Sequence, residues 1–328
     1  MPTFISKLTK RSPSIGKKDF NLREYYEKRN SILIIRGNGG LGDILVHRML
    51  FEDFKRVMPD AKMCFACPAS FHQAVVDHPY IDELLDSATV EAGKYVQAYN
   101  TSNACARYEL AVAPLSGMNR SDIWANHCGI NLTNHEMHIT LEKEIKELAK
   151  EEVEAHRDSH GSAVLFTPIS AMLNKNLVRK QIVEVVNALR SKGLYVYSSH
   201  TTSIPVLQDM GVPVLKGNIR QWMGYVDAAD YVISVDTATI HMAGGIKKPL
   251  TGIFSFTDGK VYMKYYPTAE LVQKHRDDGW DCGPCYNWPT CKKTKANPKP
   301  CLTEITVEMI MKGVNKMLMR FPKHANTD

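Results

Sequence analysis

The first residues whose types and spacing could do chemistry are a carboxylate and the glycines before it. Gly37, Gly39 and Gly42 fit G-x-G-x-x-G, and Asp43 follows at once. Behind a strand and ahead of a helix, that spacing usually marks a dinucleotide site. Two features argue against one here. The next strand runs Met63-Cys-Phe-Ala-Cys67 into Pro68, with no acid to hold a ribose. Asp43 would also repel a pyrophosphate held on amides of the same helix start. Read alone, Asp43 is a first-turn carboxylate stabilising its helix by about 1 kcal/mol. At a cleft between domains it reads as a general base, with Gly39, Gly40 and Gly42 letting an acceptor hydroxyl approach the backbone closely.

The second constellation is Cys282, Cys285, Cys291 and Cys301, a C-x2-C-x5-C-x9-C array in a loop rich in Gly, Pro and Trp. Four thiolates suit tetrahedral zinc or iron, and a site closed by four sulfurs has no open position for catalysis, so the expected metal is structural. Cys64 and Cys67 share the first spacing but lie on a strand. Residues three apart there point to opposite faces, so both read as core.

The elements that must position these groups alternate between strand and helix. Ser31–Arg36 is an apolar, β-branched strand, and 43–58 carries helical spacing. A strand over 61–67, a short helix over 71–77 and a strand over 81–85 follow, and 141–156 is a charged helix with one apolar side. After a polar linker at 157–161 the pattern restarts with strands at 163–167, 194–198, 231–235 and 250–254 and helices at 178–189, 219–228, 239–245 and 306–318. The fold class is α/β. The expected division is a basic tail over 1–30, an N-terminal domain over 31–157, and a C-terminal domain over 158–328 with a Cys-rich loop at 280–302. Ligands should sit beyond the strand C-termini and between the domains.

One segment of the second half resembles a known family. Val232-Ile-Ser-Val-Asp-Thr-Ala-Thr-Ile-His-Met-Ala243, then Lys248-Pro249 and Leu250–Phe254, is similar to the signature of the bacterial heptosyltransferases. Ala238 and Ser255 stand where the family usually has glycine. Gly40-Leu-Gly-Asp-Ile-Leu45, with Asp53-Phe-Lys55 and Pro59-Asp-Ala61, looks like that family's acceptor-side loop and helix, and the likeness is thin between Val90 and His156. The resemblance implies GT-B, two Rossmann-like doubly wound domains facing across a cleft, with a nucleotide-sugar donor held by the second. It implies an inverting transfer of a heptose-like sugar, from an ADP-linked donor, to a hydroxyl of a glycan or lipopolysaccharide core. Thr167-Pro168-Ile-Ser170 with Lys175 resembles the strand-end segment whose lysine contacts donor phosphates, and Arg179 and Lys180 are fallbacks. The amides opening the helix after Asp236, from Thr237 through Ala238 and Thr239, would form an anion site, and His241 would reach a phosphate or brace the loop. Cysteine loops like this one occur in some members, including enzymes that modify proteins. A lysine neutralising the leaving diphosphate removes the need for a catalytic metal.

Bulk properties limit the partners. With 44% hydrophobic and 23% charged residues the chain is globular, and no apolar run reaches the roughly 18 residues of a membrane span. Residues 1–30 are basic without the apolar core of a signal peptide, which points to the cytoplasm and reduced cysteines. A formal charge of +6 favours anionic partners such as nucleotides, glycan phosphates, a membrane surface touched peripherally, or nucleic acid. The basic tail and the Lys292–Lys299 stretch keep a base-modifying DNA glycosyltransferase as an alternative, beside a non-catalytic nucleotide-sugar-binding module. Nothing in the sequence sets the oligomeric state.

Overall fold

The computed structural model describes residues 30–115, 117–157, 161–274, 282–286, 291, 294–296 and 299–323. Two parallel sheets carry the chain. The first holds β1 (Ser31–Ile35), β2 (Lys62–Cys67), β3 (Glu83–Asp86) and β4 (Gln97–Asn100) in the order β3-β2-β1-β4. The second holds β5 (Ala163–Thr167), β6 (Tyr195–Ser199), β7 (Val214–Leu215), β8 (Tyr231–Val235), β9 (Leu250–Ile253) and β10 (Ala269–Val272) in the order β10-β9-β8-β5-β6-β7. Both are doubly wound, and the strand order reverses between β1 and β4 in one and between β5 and β8 in the other. At such a reversal the following loops splay apart and leave a crevice beyond the strand ends.

The helices of the first domain are α1 (Leu41–His47), α2 (Phe51–Val57), α3 (Ala104–Val112) and α4 (Arg120–His127), followed by α5 (Lys143–Ala155). The single helix expected over 43–58 is two, joined by a 3-10 turn at Arg48–Leu50. The chain tightens where Arg48 turns inward: its buried guanidinium donates to the carbonyls of Ala74, Met137 and His138 and pairs with Asp77. The short helix expected at 71–77 is a 3-10 segment over Ala69–Ala74. Strand alternation separates the two cysteines of β2 as expected, Cys67 joining the main core and Cys64 the other face of the sheet with Leu33, Ile35 and Ala66.

The second sheet is flanked by α6 (Arg179–Arg190), α7 (Pro205–Asp209), α8 (Ile219–Ala228), α9 (Ala238–Ile246), α10 (Gly259–Tyr262), α11 (Pro300–Thr303) and α12 (Val307–Arg320). Although it precedes the linker, α5 lies on α8. Gly224 lacks the side chain that would collide there: a Cβ would stand 2.9 Å from that of Ala149. One continuous apolar core runs from Ile32 and Phe51 of the first domain to Met242 and Phe254 of the second. Asp77 ties the domains further, accepting from Arg48 on one side and pairing with Arg220 of α8 at 3.1 Å. Among the described residues no helix is long and apolar enough to cross a membrane.

Candidate active site

The two topological reversals face each other across one cleft of about 1160 Å³. Its first wall comes from the loop after β1, which carries Gly39, Gly40, Gly42 and Asp43, and from Ser102 and Asn103 after β4. Its second wall comes from Ser170 and Lys175 after β5 and from Asp236, Thr237, Ala238 and His241 after β8. Residues nearly two hundred positions apart therefore share one space. Thr239 does not join them, because its side chain is fully buried beneath the helix start and its hydroxyl has no partner among the described residues. Arg179 and Lys180 also stay outside, pairing with Asp209 and Glu184.

Asp43 serves its helix and also faces the cleft. It sits at the third position of α1, where Oδ2 accepts from the Gly40 amide at 3.1 Å and caps the helix. The same carboxylate lines the cleft, held by Arg36 Nη2 at 3.1 Å and Arg120 Nη1 at 2.6 Å. Burial alone would raise its pKa, but Arg120, Arg36 and the Gly40 amide outweigh that and hold it well below the ordinary carboxylate range. Asp43 is thus an anion at any working pH. Its own carboxylate fills the amide pocket that a dinucleotide would need.

The glycines around it do different work. Gly39 has φ +99°, where a side chain is strained, and a Cβ would collide with Asp43 and Arg36. Gly42 makes room for the other domain: a Cβ there would stand 2.8 Å from the His241 ring. Gly40 alone opens onto space, with nothing within 4 Å of where a Cβ would stand.

Sequence reasoning missed the groups that set this charge. Arg36 directly follows β1, and a cation at a strand end beside a glycine loop was a usable signal. Arg120 and Glu109 lie in the stretch between Val90 and His156 where the family resemblance is thin. Glu109 is buried and takes Arg120 Nε and Nη2 at 2.8 and 2.9 Å, while Tyr262 of the second domain donates to it at 2.8 Å. Below Asp43, the ring of His47 donates Nδ1–H to the Asp43 carbonyl at 2.7 Å and faces the Thr101 hydroxyl. Burial and the nearby Arg36 lower its pKa to about 3, so it is neutral.

On the opposite wall, Asp236 accepts from Thr257 at 2.6 Å and pairs with Lys175 at 2.7 Å. Burial raises its pKa, and Lys175 with the Thr257 hydroxyl more than reverses that. Helix α9 starts next to this pair. Its N-cap, Thr237, is extended and makes no side-chain cap, which leaves first-turn amides for an anionic ligand. His241, one turn in, meets the Tyr266 hydroxyl at 2.7 Å through Nδ1. Burial lowers its pKa to about 4 against the pull of Asp236 and Asp43, so a neutral ring braces the helix.

The cysteine loop touches this wall from behind. The amides of Cys285 and Tyr286 both donate to the Phe256 carbonyl at 3.0 Å, next to Thr257. Among the described residues, no three His, Cys, Asp or Glu side chains stand where they could share a metal ion. Cys282, Cys285, Cys291 and Cys301 therefore do not form a ligand set as they stand. Three of them lie near a buried charge: Lys299 is 3.7 Å from the centre of the Phe256 ring and 3.9 Å from Cys285 Sγ, and burial pulls its pKa down against the opposing pull of Cys285, Cys301 and Cys291. Lys299 is thus no part of a phosphate-tracking surface. The basic tail before residue 30 and Lys292 and Lys293 lie outside the described residues.

No protein-family model matches the sequence, and no curated protein matches it. Solved structures do match. A glycosyl transferase family 9 protein from Veillonella parvula superposes with TM-score 0.67 at 14% identity, over 90% of this chain and 99% of that one. The Escherichia coli ADP-heptose lps heptosyltransferase II gives 0.64 at 13%, over 88% and 99%. The E. coli glycosyltransferase TibC, iron-containing and dodecameric, gives 0.66 at 15%, over 89% and 77%. At these identities the likeness establishes the fold, and it is the GT-B arrangement that the sequence motifs imply.

Proposed function

We propose that this chain is an inverting glycosyltransferase that moves a heptose-like sugar from a nucleotide diphosphate to an acceptor hydroxyl. The observation that carries the reading is that an ionised Asp43 and the uncapped start of α9, with Lys175 beside it, line one cleft from opposite walls. In the proposed step the acceptor O–H gives its proton to Asp43 while its oxygen attacks the anomeric carbon. The bond from that carbon to the diphosphate oxygen breaks on the far side, and the bonding electrons leave with the diphosphate. Amides of Thr237, Ala238 and Thr239 and the ammonium of Lys175 receive that charge, as fixed donors aimed at a developing anion do. Asp236 holds Lys175 in place before the donor arrives, and Ser170 flanks the same edge. Support for an ADP-linked donor comes from the two heptosyltransferase-type neighbours, of which TibC is also known with ADP-D-beta-D-heptose.

The step needs no metal. A structural zinc or iron at the cysteine loop is a separate part of the proposal, and it requires the four sulfurs to draw together. What supports it is the buried ammonium of Lys299, 3.9 Å from Cys285 Sγ and pulled down in pKa by its burial; a thiolate cluster would supply the negative charge that offsets that burial.

The test is Asp43→Asn, after a thermal-shift screen across ADP-, GDP-, UDP- and CDP-sugars has identified the donor. A ligand at about 100 times its dissociation constant stabilises the fold by about 2.7 kcal/mol. The variant should keep donor affinity within a few-fold and lose transfer by about a hundredfold or more. Normal turnover in Asp43→Asn would remove Asp43 as the base.

A further inference from the structure

The acceptor half of the cleft carries cations, but it has already spent them on its own acids. Among the described residues lining that half, the cations are Arg36 and Arg120. Arg36 Nη1 donates to the carbonyls of Thr101 and Ser102, and Nη2 faces Asp43. Arg120 divides its fork between Glu109 and Asp43. Across the cleft, Lys175 is taken by Asp236. Three cations thus meet three carboxylates, and His47 and His241 between them are neutral. A bound donor diphosphate adds further negative charge to a site that is balanced without it. A phosphate or carboxylate on the acceptor would then face Asp43 and the diphosphate with no cation to spare among the described residues of the lining.

What remains on this half suits an uncharged polyol. Asn38, Asn103 and Gln73 offer amides and Ser70 and Ser102 offer hydroxyls, which can donate and accept as a ring of sugar hydroxyls requires. Phe71 adds an apolar face beside them, and the floor at Gly40 is open. Resting on the transferase reading above, we infer that the acceptor is an uncharged carbohydrate hydroxyl and that phosphorylated or otherwise acidic acceptors are disfavoured at this site. This departs from a lipopolysaccharide inner core bearing phosphate.

The experiment uses the full chain and the nucleotide sugar found in the thermal-shift screen. Neutral methyl glycosides and short neutral oligosaccharides are compared with their 6-phosphates and with a serine- and threonine-containing peptide, transfer being followed by mass spectrometry at low and high salt. The neutral sugars should be modified with kcat/KM about tenfold or more above their phosphates, with little dependence on salt. In Ser70→Lys, which adds an exposed cation to the acceptor wall, the ratio should move toward the phosphorylated acceptor. Preference for the phosphorylated sugars, transfer to the peptide alone, or an unmoved ratio in Ser70→Lys would overturn the inference while leaving the transferase reading intact. Failure of every nucleotide sugar to bind would overturn both.

Discussion

Lowering the pH should unfold this protein through three buried histidines. His47, His78 and His241 are almost fully buried, and burial first, with Arg36 near His47 and Arg48 near His78, depresses their pKa values to about 3, 2 and 4. In the unfolded chain each titrates near 6.5. A group depressed in the folded state lends its full stability above the unfolded pKa and withdraws it as pH falls from there toward the folded value. Between pH 6.5 and about 4.5, the unfolded chain therefore binds up to three more protons than the native one. That is a slope of about 4 kcal/mol per pH unit, or a loss of about 6 kcal/mol between pH 7 and pH 5. Domains are commonly stable by only about 5–15 kcal/mol, so the fold should fail near pH 5. Trp124 reports the event directly, because its ring lies 3.7 Å from that of His47. Urea unfolding followed by tryptophan emission at pH 7, 6 and 5 should show the midpoint falling steeply across the series. A midpoint constant from pH 7 to pH 5 would refute the reasoning, since it would mean that these rings accept protons in place.

Three other outcomes follow from the site. Arg120→Met removes one of the two guanidinium groups that hold the Asp43 carboxylate in place, so kcat/KM at pH 7 should fall by about tenfold or more through misplacement of the base while donor affinity holds; unchanged turnover would exclude this role. Lys175→Ala should weaken donor binding by about 10- to 100-fold, measured by titration calorimetry, through loss of a charge-assisted contact; the same affinity would place the phosphates elsewhere. Elemental analysis of protein purified without chelator should find about one zinc or iron per chain, lost with exchange of Cys282 and Cys285 to serine; metal-free protein with an intact cleft would leave the four cysteines as thiols.

Periodic segments were legible from the sequence, and so was the local motif at each strand end. β1, β5 and β8 with the loops after them announce themselves by apolar runs ended by Gly, Pro or Asp, and these place Asp43, Ser170, Lys175 and Asp236 on one cleft. Marginal elements were not legible. β4 reads Gln-Ala-Tyr-Asn and is largely exposed, and β7 has two residues, so neither contrasts with its flanks. Nor does periodicity state which distant charges will pair. The Glu109 carboxylate that steadies Arg120 is capped by a tyrosine 153 positions later, and no local rule joins them. Thr239 shows the reverse case: its place at the helix start marks it for the anion site, but the turn of the helix carries its side chain inward and leaves only its amide to serve there.

The contact between Gly42 and the His241 ring bears on how chains of this fold can be recombined. Exchange of whole C-terminal halves is an attractive route to new donor preferences, since each half has its own sheet. Here the seam runs through the candidate site: an incoming half must bring a ring that fits against a bare α-carbon, a phenol for Glu109 and a guanidinium for Asp77. A graft that ignores those three would join two sound halves around a misaligned gap, so chimeras of this chain should be designed with the three contacts exchanged as a set.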